Sequence, residues 1–109
     1  MELSGIRKES EALSLLEEAI ESFRQALSVY TRDEFKIDWA DTQNNIGLAF
    51  FAQAKLNEKT KARILLEKSI SAFRAALGAL DEDEFAGQVA VIKSKLAEAQ
   101  ADLLILSKD

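Results

Sequence analysis

Leu15-Leu16-Glu17, Ile20, Phe23-Arg24 and Ala26-Leu27 are followed, 50 residues later, by Leu65-Leu66-Glu67, Ile70, Phe73-Arg74 and Ala76-Leu77. Asp33-Glu34-Phe35 returns in the same register as Asp83-Glu84-Phe85. With Ala12/Ala62, Ala40/Ala90 and Ala49/Ala99, segments 12–50 and 62–100 agree at 14 of 39 positions without a gap. Composition alone would produce about two or three such matches. A repeat of this length reads as one supersecondary unit copied, each copy carrying an apolar face that a neighbour must cover.

The spacing inside the repeat identifies the unit as helical. Leu16, Ile20, Phe23, Leu27 and Tyr30 step by 4, 3, 4 and 3, which draws a single stripe along a helix over 9–30. Leu66, Ile70, Phe73, Leu77 and Leu80 repeat the pattern over 60–80. Between them, Trp39, Ile46, Phe50 and Ala54 mark a helix over 39–55, with Asp38 as its expected N-cap. Gly47, in mid-helix, costs about 1 kcal/mol against alanine and so signals backbone approach by another helix. A fourth helix, 88–106, carries Val89, Ile92, Leu96, Ala99, Leu103 and Leu106. Its end, Leu103-Leu104-Ile105-Leu106, is apolar on every side, which points to something packed around it. Residues 1–8, with Leu3 and Ile6, read as the tail of an earlier helix.

Composition agrees and narrows the function. The 109 residues are 48% hydrophobic and 30% charged, with no proline and four glycines, so one all-α domain over 1–109 is expected. The net charge of −5, with basic residues scattered among acidic ones, argues against nucleic acid as a partner. No apolar run reaches the roughly 20 residues that span a bilayer, and the N-terminus lacks the form of a signal peptide, so a cytoplasmic setting is the default. The absence of histidine and cysteine removes most nucleophile–base pairs and most zinc sites. No cofactor or metal is expected, and the chain does not read as an enzyme.

From the second helix to the third, the residues resemble the tetratricopeptide repeat. Ile46-Gly47 with Phe50 matches that family's first helix, and Ser69, Phe73 and Ala76 match its second. Ala19, Phe23 and Ala26 repeat the second-helix pattern. The period is 50 where the family has about 34, and about ten of the added residues are expected in the turn inside the repeat. Asp38 to Gly47 looks like a long-period bacterial branch of these repeats. The resemblance implies TPR-like hairpins, four antiparallel helices stacked as a short right-handed superhelix. It implies a scaffold or adaptor that binds a protein or peptide through the second and fourth helices.

On that face the candidate ligand-groove residues are Asp41, Asn44, Asn45 and Leu48, with Lys95 and Glu98 at the matching positions of the fourth helix. Asn45 has two readings, contact with a ligand backbone or pairing with a neighbouring helix end. Lys95 would draw an acidic ligand terminus. Leu104 and Ile105 are candidates for self-association as a homodimer, or for continuing a longer array. Arg24 and Arg74 are expected to hold the linker acids Asp33, Glu34, Asp83 and Glu84 against their helices.

Overall fold

The computed structural model describes residues 3–108, except for the side chains of Leu3, Ser4 and Ile6. Among them are four helices and no strand: α1 Leu3–Val29, α2 Lys36–Lys55, α3 Lys59–Ala79 and α4 Ala86–Leu106. They pack in chain order as antiparallel hairpins. α2 lies most extensively on α3, α3 on α4 and α1 on α2, while α2 also touches α4 and α1 reaches neither α3 nor α4 by its backbone. The radius of gyration, 15.0 Å, exceeds the roughly 13 Å of a rounded chain this long, as a one-dimensional stack requires.

The apolar stripes meet where their spacing aims them. Phe73 and Ala76 are wholly buried, and Leu66, Ile70, Ile46, Phe50, Val89, Ile92 and Ala99 are buried around them. Leu16, Phe23 and Leu27 of α1 pack partly buried against this core, joined by Ile20, which is buried. Tyr30 leaves the stripe. It lies past the end of α1, is 37% exposed and meets Phe35 edge to face at 5.7 Å.

Gly47 is the tightest point. A Cβ there would stand 2.6 Å from Cε1 of Phe73, so the α3 ring occupies the space a side chain would need. One helical turn earlier on α3, the buried Ser69 hydroxyl donates to the Gly47 carbonyl at 2.7 Å. Ring and hydroxyl together fix the register of α2 against α3.

Four expectations need correction. Residues 3–8 belong to α1 itself rather than to an earlier helix; residues 1 and 2, and the side chains of Leu3 and Ile6, lie outside the described residues. α2 begins at Lys36 with Phe35 at its N-cap, so Asp38 sits in the first turn, where its charge still favours the helix N-terminus. The turn inside the repeat is only 56–58; the added residues lengthen the helices, to 20 in α2 and 21 in α3. Finally, among the described residues neither Arg24 nor Arg74 makes an ion pair. The linkers are held otherwise. Thr31 Oγ1 accepts from the Glu34 amide, and its repeat counterpart Asp81 Oδ1 accepts from the Asp83 and Glu84 amides. Arg32 donates to the Gly78 carbonyl at 3.0 Å and lies over the half-buried Trp39 ring. Lys93 pairs with Glu82 at 2.7 Å.

Candidate interaction surface

α2 and α4 are repeat counterparts that both lie on α3, so their flanks form a common side. Where they run together, a cleft of about 230 Å³ opens between Asp41 and Asn44 of α2 and Gly87, Gln88, Val91 and Ile92 of α4. Gln88 Nε2 donates to Asp41 Oδ1 at 3.2 Å and joins the two walls. Gly87 has nothing within 4 Å of where a Cβ would stand, which leaves that wall low. Val91 is 58% exposed and presents an apolar side chain to the cleft. Asn44 Oδ1 is buried yet, among the described residues, accepts no hydrogen bond. A buried acceptor left unmade costs about 1–3 kcal/mol.

Of the six groove candidates, Asp41 and Asn44 line this cleft, and the other four do not. Leu48, 36% exposed, and Lys95 lie one helical turn beyond Asn44 and Val91 respectively. Lys95 pairs with Glu98 on its own helix at 3.5 Å, so its charge is already partly answered. Asn45 is exposed and, among the described residues, bonds neither a helix end nor a linker. Gln88 carries no motif that marks it in the sequence. Its only signal was its position, 50 residues after Asp38, on the helix opposite Asp41.

Leu104 and Ile105 are 63% and 64% exposed and face different hollows. Ile105 borders one of about 350 Å³ beside Ala54, Ala62 and Leu66; Leu104 borders one of about 580 Å³ on α3 and α4.

Among the described residues, no group of three or more carboxylates lies close enough to hold a metal ion, and no helix is long and apolar enough to cross a membrane. The strongest electrostatic effect on a titrating group is structural. Glu58 caps α3, accepting from the Lys61 and Thr60 amides at 2.8 and 3.0 Å, and these bonds hold its carboxyl below the ordinary range. The chain matches no family model, no curated protein and no solved structure.

Proposed function

We propose that the chain is a non-enzymatic interaction module of the tetratricopeptide type, receiving a segment of a partner protein on the α2/α4 side. The observation that carries this reading is the cleft between α2 and α4 with the exposed Val91 in its wall. An apolar partner side chain would cover Val91, with Asp41 and Asn44 of the facing wall offering polar contacts beside it. The family assignment is supported by Gly47, Ser69, Phe73 and Ala76, which carry the resemblance: the first three meet across α2 and α3, and Ala76 is wholly buried. Protein rather than nucleic acid is the proposed partner, because the chain is net acidic and its basic residues are dispersed.

Panning a random peptide library displayed on phage tests the proposal. Peptides enriched on the wild type should be lost on Asn44→Leu and on Val91→Glu, both of which keep the helical circular dichroism of the parent. No enrichment on the wild type, or peptides retained by both variants, refutes the α2/α4 site.

A further inference from the structure

The repeat allows one surface of the molecule to be compared with another. Where α1, α2 and α3 meet there is a small pocket. Its α1 and α2 walls are Glu17, Ile20, Glu21, Arg24, Phe50 and Gln53, and α3 closes it with Leu65 and Lys68. Fifty residues on, those six wall positions are Glu67, Ile70, Ser71, Arg74, Gln100 and Leu103. These same six, with Leu104, line the hollow of about 580 Å³ on α3 and α4. That hollow is the same seat without its closing helix. The counterparts of the closing residues Leu65 and Lys68 are Leu15 and Glu18, and both stand exposed on α1, Leu15 at 64%.

The face around Leu15 also has the form of a closing helix. α3 buries Ala62, Leu65, Ser69, Ala72, Ala76 and Ala79. The same places on α1 hold Ala12, Leu15, Ala19, Ser22, Ala26 and Val29, all small or apolar, and Val29 is 64% exposed. We propose that copies of this chain associate head to tail, α1 of one copy seating on the α3–α4 end of the next as α3 seats on α1–α2 within the chain. This surface is separate from the α2/α4 cleft, and the inference does not depend on that reading.

The charges at the two surfaces fit each other. Within the chain, Lys68 lies over the Phe50 ring at 5.6 Å. In the joint between copies, both members of that pair change: Glu18 replaces the lysine and Gln100 replaces the ring, so a polar pair replaces a cation on an aromatic face. Arg74, which makes no ion pair among the described residues, lies in the seat that would receive Glu18. Lys68 and Ser71 share a pocket with Arg24 and Gln43; the counterparts are Glu18 and Glu21 against Arg74 and Lys93, the last of which already pairs with Glu82. Glu67 lies in the same seat and opposes the incoming carboxylates, so the charges set register more than strength.

The joint between copies is looser than its internal template. Ala97 stands where Gly47 does, so Phe23 cannot come as close as Phe73, and Gln100 and Ala101 replace Phe50 and Phe51. Association is therefore reversible and depends on concentration. Because the two faces differ, the contact is heterologous, and copies add at either end instead of closing as a two-fold dimer.

Sedimentation equilibrium from micromolar to millimolar protein tests this on the wild type, Leu15→Glu and Leu104→Glu. Both substituted residues are exposed, so the monomer fold is retained, and unchanged circular dichroism verifies it. The wild-type mass is expected to rise beyond that of a dimer. Each variant alone should stay monomeric, and an equal mixture of the two should form dimers and stop there, because only one intact joint remains. A wild type that is monomeric throughout overturns the proposal. So does a Leu15→Glu variant that still self-associates while Leu104→Glu does not, since that pattern is a symmetric α4 pairing.

Discussion

Two side chains on α3 depend on the absence of one on α2. Phe73 fills the space above Gly47, and Ser69 bonds its carbonyl. Gly47→Ala should therefore destabilise the fold by about 1–3 kcal/mol through overpacking, although alanine is the better helix former by about 1 kcal/mol. Ser69→Ala should cost about 1 kcal/mol, the worth of one internal hydrogen bond. Urea unfolding of both variants checks the order; a Gly47→Ala protein as stable as the parent would show that the ring can move aside. Gly47 was legible in the sequence because a glycine inside a strong apolar pattern needs a reason. Ser69 was legible only as a family match, since a hydroxyl on a stripe does not announce which carbonyl it will meet.

At the scale of the element, helix ends proved harder to read than helix bodies. The stripes of α2 and α3 are buried except for the partly buried Trp39 and Leu77, and α4 buries Val89, Ile92 and Ala99 but leaves Leu96, Leu103 and Leu106 partly exposed; α2 starts at Lys36 ahead of its expected cap, and α3 is capped by Glu58. The Glu58 cap has a consequence for pH. Its folded pKa lies below its unfolded one, so its contribution is present above the ordinary carboxylate range and fades as pH falls through the folded value. Glu58→Ala should melt at a lower temperature than the parent near pH 7, and the gap should narrow as the pH is taken down through and below the ordinary carboxylate range. Thermal melts followed by circular dichroism measure both; a gap that stays constant with pH would remove the charge from the explanation. The linker arginines illustrate the opposite error. Arg24 and Arg74 recur with the linker acids, yet the linkers are tied by the turn bonds of Thr31 and Asp81, by the reach of Arg32 to the Gly78 carbonyl and by the Lys93–Glu82 pair.

In the whole molecule, protection should follow position in the stack. α3 is covered on both sides, by α2 and α4, whereas α1 has α2 alone as a backbone neighbour and meets α3 only through side chains. Hydrogen exchange should be slowest in α3 and fastest in the first turns of α1. In concentrated solution the α1 amides should slow further if Leu15 and Val29 are covered by a neighbouring copy, while those of the linker 30–35 should not. Exchange in α1 slower than in α3 in dilute solution would contradict the stacking order.

Helix content, the identity of the four helices and most of the core were determined by the sequence, because spacing along a helix decides which residues share a face. The pairing of those faces was decided by the tertiary structure alone. The Asp41–Gln88 bridge, the buried Asn44 acceptor and the hollow closed by α3 at one end of the chain but open at the other are contacts between residues distant in sequence. Periodicity sets the direction in which a side chain points from its own helix; what stands opposite depends on how the helices cross.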